Sequence, residues 1–147
     1  MRLNTKHFGE IDINENGIIE FEEGLPGFED AKLFVLLYDG EPESPFCWLQ
    51  SVDKPNLAFA MINPEVIMPD YTVEIDDAIA ERLGISSQDD VIYYAIVVVP
   101  ENITDMTANM KAPVIINVRE KKGMQIIMEN SGYSVRYPVF PKQRERV

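Results

Sequence analysis

The chain has 147 residues, of which 46% are apolar, with one cysteine, one histidine and a formal charge of −12. That length can bury a hydrophobic core without disulfides or metals, and a lone Cys47 beside a lone His7 excludes both an intrachain disulfide and a His/Cys zinc site. No apolar run approaches the ~20 residues of a membrane span, and the first residues lack a signal-peptide core, so the expectation is a cytoplasmic protein without membrane association.

The charge is uneven. Residues 1–75 hold 15 acidic and 4 basic side chains, whereas residues 76–147 hold 10 and 9. A negative surface repels phosphate backbones, so direct nucleic-acid binding is disfavoured. The imbalance serves solubility or a partner with a basic surface.

In chain order, residues 8–13 and 17–21 read as two short strands turning at Asn14-Glu-Asn-Gly17. Next comes Glu22-Glu-Gly-Leu-Pro-Gly-Phe-Glu-Asp30, in which Pro26 and Gly27 suit the central positions of a type II turn. Leu25 and Phe28 bracket that turn and are placed to pin it to the core. Four carboxylates surround it (Glu22, Glu23, Glu29 and Asp30), and the phosphate-loop spacing is missing, so it is no phosphate cradle. Residues 33–38, 46–51 and 57–62 are apolar strands, and Trp48 and Phe59 within them read as core residues. Asn63-Pro64 and Met68-Pro69 break the pattern and predict a loop.

Residues 76–84 form the one convincing helix. Asp76 caps it, Ile79 and Leu83 share a face, and Gly84 terminates it. Residues 91–99 are apolar on both faces, as in a central strand covered on two sides, and Pro100 ends them. Residues 101–106 read as irregular. Residues 114–118 and 124–128 then flank a polar, glycine-containing run, Arg119 to Gly123, which predicts a β-hairpin. Counting inward pairs Val118 with Met124, Asn117 with Gln125, Ile116 with Ile126, and Ile115 with Ile127. One face is wholly apolar, and the other sets the polar pair Asn117/Gln125 beside Ile115/Ile127. That second apolar pair is either covered by another element, as a closed barrel favours, or part of a docking surface with Asn117 and Gln125 as its rim. A short stretch at 133–137 follows, then a frayed basic tail at 142–147.

The sum is a mainly β chain: nine or ten short strands and one short helix in a compact antiparallel barrel-like fold. It forms a single domain over 1–147, with an ordered core over about 8–138. Nothing marks a catalytic pair among the 25 carboxylates, the calcium-loop pattern is missing, and His7 has no nucleophile motif beside it. No enzyme, cofactor or metal is expected.

Asn109-Met-Lys-Ala-Pro-Val-Ile-Ile-Asn117 resembles the motif near the C-terminus of the flagellar assembly factor FliW family. Gly24-Leu-Pro-Gly-Phe28, Phe46-Cys-Trp-Leu-Gln-Ser51, Pro69-Asp-Tyr71 and Val97-Val-Val-Pro100 match in the family's order, over about Phe8 to Pro138. Tyr137 departs from it, standing where a histidine is expected. The resemblance implies a barrel-like β fold and a regulatory binding protein with two alternative partners. They are flagellin, bound before export through its C-terminal segment, and the translational repressor CsrA, which binds flagellin mRNA. It is expected to be monomeric when free. The competing class is a cytoplasmic carbohydrate- or small-molecule-binding β module, for which Trp48, Tyr71, Tyr93 and Tyr94 supply the aromatic surface.

Overall fold

The computed structural model describes residues 1–38, 40, 41 and 43–140; the expected tail at 142–147 lies outside these. Its strands are β1 (Arg2–Thr5), β2 (Gly9–Asp12), β3 (Ile19–Glu20), β4 (Leu33–Leu37), β5 (Phe46–Ser51), β6 (Ala58–Ile62), β7 (Val91–Val98), β8 (Thr107–Ala108), β9 (Val114–Asn117), β10 (Lys122–Gln125) and β11 (Tyr137–Pro138). The helices are α1 (Pro64–Ile67) and α2 (Asp77–Leu83). Strands β3, β4, β5, β6, β7, β9 and β10 follow one another around a closed barrel, because β7 pairs with both β6 and β9 while β10 returns to β3. The pairings are antiparallel except at β3–β10, a single parallel pair of Glu20 with Lys122.

Alternation along the strands sorts side chains between the barrel interior and its outer surface. The interior holds Ile19, Phe21, Phe34, Cys47, Leu49, Met61, Val114 and Ile116. The outer faces of β6, β7 and β9 carry Ile62, Ala95, Val97 and Ile115, which are covered by Ile67, Tyr71, Leu83, Met110 and Met128. On the opposite side the β1–β2 hairpin lays Leu3 and Ile11 over Val35 and Leu37 of β4. Gln50 fastens that hairpin to the barrel. Its Oε1 accepts from the Lys6 amide at 3.1 Å, and its Nε2 donates to the carbonyls of Ser51 and Pro55.

The strands expected at 33–38, 46–51, 57–62 and 91–99 and the helix at 76–84 are present. Asp76 Oδ1 accepts from the Ile79 amide at 2.8 Å, and Gly84 ends the helix at φ 66°. The segments at 8–13 and 17–21 contain strands, but β2 pairs with β1, whereas β3 pairs with β4 and β10. The 63–69 loop contains α1, a single turn capped by Asn63 with Pro64 in the first helical turn. The stretch expected at 133–137 is a strand only at Tyr137–Pro138.

The hairpin near the C-terminus exists in a different register. Asn117 pairs with Lys122, Ile116 with Gly123, Ile115 with Met124, and Val114 with Gln125. The connection is residues 118–121, and Lys121 takes the left-handed conformation at φ 57°. Gly123, expected in the turn, lies within β10, because a Cβ there would come within 2.5 Å of the Phe21 ring. A shift of three residues is odd, so it exchanges the faces of the second strand relative to the first.

Two outcomes follow. Gly123→Ala should destabilise the fold by about 1–3 kcal/mol in urea unfolding, since the Phe21 ring must be displaced from a filled interior. The Cys47 thiol, pushed up to about 12 by burial despite its hydrogen bond with Tyr94, should resist alkylation at pH 8 in the native state. Its labelling should appear with the unfolding transition, as read by mass spectrometry across a denaturant series.

Candidate protein-binding surfaces

The loop after β3 is shaped by its glycines. At Gly24, with φ 66°, a Cβ would lie 2.7 Å from the Glu29 Cα and the Phe28 carbonyl, so only glycine fits. The Phe28 amide donates to the Leu25 carbonyl at 2.7 Å across Pro26-Gly27, and Gly27 takes φ 85°. Leu25 is buried, whereas Phe28 is 44% exposed and rests edge-on against Phe59 at 5.2 Å. The loop is therefore held from below, and its carboxylates point outward.

Glu20, Glu22, Glu23 and Glu29 line one cleft of about 420 Å³, closed on the far side by Arg82 of α2 and by Lys122 and Gln125 of β10. Arg82 Nη2 meets Glu23 Oε1 at 2.8 Å, both groups well exposed. That hydrogen bond, then the charges of Glu23 and Glu22, raises the Arg82 guanidinium above its usual range. Asp30 is exposed and lines the neighbouring depression with Glu29 and Phe28. Three of the four carboxylates singled out in sequence thus share one cleft, joined by Gln125. The partly offsetting cations Arg82 and Lys122 were not anticipated, since a barrel seam brings them in from remote parts of the chain.

The hairpin residues separate. Ile115 has no exposed surface and belongs to the layer beneath the covering segments, so it is not a docking residue. Asn117 is likewise fully buried and is no polar rim. Its Nδ2 donates to the Leu83 carbonyl at 2.8 Å, and its Oδ1 accepts from the amides of Arg119 and Glu120 at 3.0 and 3.1 Å. One carboxamide thereby joins the end of α2 to the β9–β10 turn, which is why a polar side chain is tolerated there. Gln125 is half-buried and donates to the Ala112 carbonyl at 2.9 Å. Ile127 is 61% exposed and is not paired with Ile115.

The four aromatics of the competing reading do not converge. Trp48 lies against His7 at 4.0 Å beneath the hairpin, and Tyr94 reaches Tyr38 at 3.3 Å at one end of the barrel. Tyr71 and Tyr93 meet at 6.1 Å in the outer layer, where Tyr71 donates to the Met110 carbonyl at 2.6 Å. Tyr71, Tyr93 and Tyr94 are raised above the usual phenol range, foremost by burial. Among the described residues no group of three or more His, Cys, Asp or Glu is placed to hold a metal, and no helix is long and apolar enough to cross a membrane.

A family model described as FliW protein matches residues 2–139. A protein of Caldanaerobacter subterraneus subsp. tengcongensis named flagellar assembly factor FliW is 48% identical over 140 residues, spanning 95% of this chain and 93% of that protein. One of the same name from Thermoanaerobacter pseudethanolicus is 45% identical, with the same coverage of each chain. A solved structure, described as a crystal structure of the flagellar assembly factor FliW, superposes with a TM-score of 0.89 at 41% identity, over 96% of this chain and 98% of that one.

Single truncations should separate the hairpin residues by stability alone. Ile115→Ala should cost about 2–5 kcal/mol, and Asn117→Ala should also destabilise clearly, by leaving the Leu83 carbonyl without its donor. Ile127→Ala should change stability by less than about 0.5 kcal/mol. Denaturant midpoints of the three variants check the ordering.

Proposed function

The chain belongs to the FliW family, and we propose that it is a non-catalytic regulatory protein of flagellar assembly with two alternative cytoplasmic partners. In this reading it holds flagellin through the C-terminal segment before export. Once flagellin leaves, the freed protein, a monomer, binds CsrA and releases flagellin mRNA for translation. The observation that carries the proposal is the cleft in which Glu20, Glu22, Glu23 and Glu29 outnumber Arg82 and Lys122.

An RNA-binding repressor presents basic surface, so an acidic ligand beside it both attracts the repressor and repels its RNA. Direct RNA binding by this chain is disfavoured by the same charge. The Arg82–Glu23 pair is well exposed and exchangeable, so a partner's cation can take its place at little cost. For flagellin the required feature is an accessible apolar residue against which an amphipathic segment can pack, and Ile127 supports that assignment.

Association with purified CsrA should slow as salt shortens the Debye length from ~10 to ~3 Å. Reversing Glu22, Glu23, Glu29 and Asp30 together to lysine should slow it by roughly tenfold or more at low salt, with the melting temperature preserved. Stopped-flow or surface-based kinetics measure both effects; an on-rate indifferent to salt would overturn the electrostatic assignment.

A further inference from the structure

Between α1 and α2 the chain runs from Tyr71 to Asp76 without turn or bend, and covered and exposed residues alternate strictly. Tyr71, Val73 and Ile75 are covered, while Thr72, Glu74 and Asp76 are exposed. A period of two is the mark of a strand, yet this segment belongs to no sheet. The Thr72 amide donates to the Tyr133 hydroxyl at 3.1 Å, whereas the amides of Val73, Glu74, Ile75 and Asp76 have no partner among the described residues.

Successive amides of a strand face opposite edges, so those of Glu74 and Asp76 face the same side as that of Thr72, toward the chain around Tyr133. On that side lies an open cleft of about 630 Å³ between this segment and residues 126–131. The second wall is also half used. Ile126 and Met128 donate to the carbonyls of Pro113 and Lys111 at 3.1 and 2.8 Å, which leaves the intervening Ile127 amide on the free edge without a partner. The side chains of Ile75, Ile79 and Ile127 give the cleft an apolar floor, and Glu74, Asp76 and Glu129 give it an acidic rim.

We propose that this cleft is a strand-addition site for an extended segment of another protein, one in which apolar residues alternate with lysine or arginine. The incoming backbone bonds to the free edge of residues 74–76 or to that of Ile127, its apolar side chains meet the three isoleucines, and its cations meet the rim. The rim also decides against a second copy of this chain, because that pairing sets Glu74 and Asp76 against carboxylates of their own kind. The inference rests on the reading of Ile127 as a docking residue, but not on flagellin as the ligand nor on the cleft at Glu20–Glu29.

The probe is a blocked ten-residue peptide of alternating valine and lysine, titrated into the 15N-labelled full chain. Three control peptides accompany it: a scrambled sequence of the same composition, one with glutamate for lysine, and one N-methylated at alternate residues. The parent peptide should shift resonances at 72–79 and 126–131 and slow hydrogen exchange at Glu74 or Ile127. The scrambled and glutamate peptides should bind at least several-fold more weakly. N-methylation should weaken binding by roughly tenfold, since each lost backbone hydrogen bond contributes about a factor of five. Ile127→Ser, which should fold normally, and Glu74→Pro, which removes one free amide, should each weaken it too.

Equal binding of the N-methylated peptide would overturn strand addition while leaving Ile127 as a docking residue. Shifts confined to Glu20–Glu29, or no shifts at all, would overturn the site while leaving the charge-reversal experiment untouched. Concentration-dependent shifts at 72–79 without peptide would assign the edge to a second copy and overturn the proposal.

Discussion

The contact between the Phe21 ring and the bare backbone of Gly123 closes the barrel. Strands β3 and β10 share only one ladder pair, so the seam is held more by this side-chain packing than by backbone hydrogen bonds. Closure there places Glu20, Glu22 and Glu23 opposite Lys122 and Gln125, and it sets the floor on which α2 brings Arg82 across. A methyl group at residue 123 would push on the ring and on both walls of the cleft together. The acidic surface and the hydrophobic interior are thus two sides of one packing constraint.

The barrel is wrapped on two sides, and the wraps differ in kind. The β1–β2 hairpin is a small sheet fastened through the fully satisfied carboxamide of Gln50. The other cover is made of α1, α2, the unpaired 71–76 segment and the chain after β10, joined by side-chain links such as Asn117 to Leu83 and Tyr71 to Met110. Such a patchwork leaves free strand edges that a continuous sheet would have consumed, and free edges are where another chain can pair.

Elements whose signal is local were legible in the sequence. The capped helix at 77–83 and the apolar strands β4, β5, β6 and β7 follow from caps, breakers and runs of β-branched residues. The register of the second hairpin was not legible, because Gly123 is also a good turn residue. Its actual reason lies in Phe21, remote in sequence, and Lys121 takes the left-handed position instead. The same three-residue displacement explains why Ile115 and Ile127 read as neighbours when one is buried and the other exposed. For the binding surfaces, the run from Glu22 to Asp30 announced the acid, but nothing local announced Arg82. The alternation from Tyr71 to Asp76 was visible as a pattern, and its lack of a strand partner was not.

The seam also sets the order in which the molecule can assemble. Glu20 waits for Lys122, more than a hundred residues later, and β7 must receive both β6 and β9 before the ring is complete. Only the β1–β2, β4–β5, β5–β6 and β9–β10 pairs are local enough to form early. A topology of such distant pairings belongs with the slower folders, because long loops must be closed before the contacts they enclose can form. During synthesis the early strands therefore stay open-edged until nearly the whole chain has left the ribosome, and the charge concentrated in residues 1–75 keeps that waiting portion apart from its neighbours.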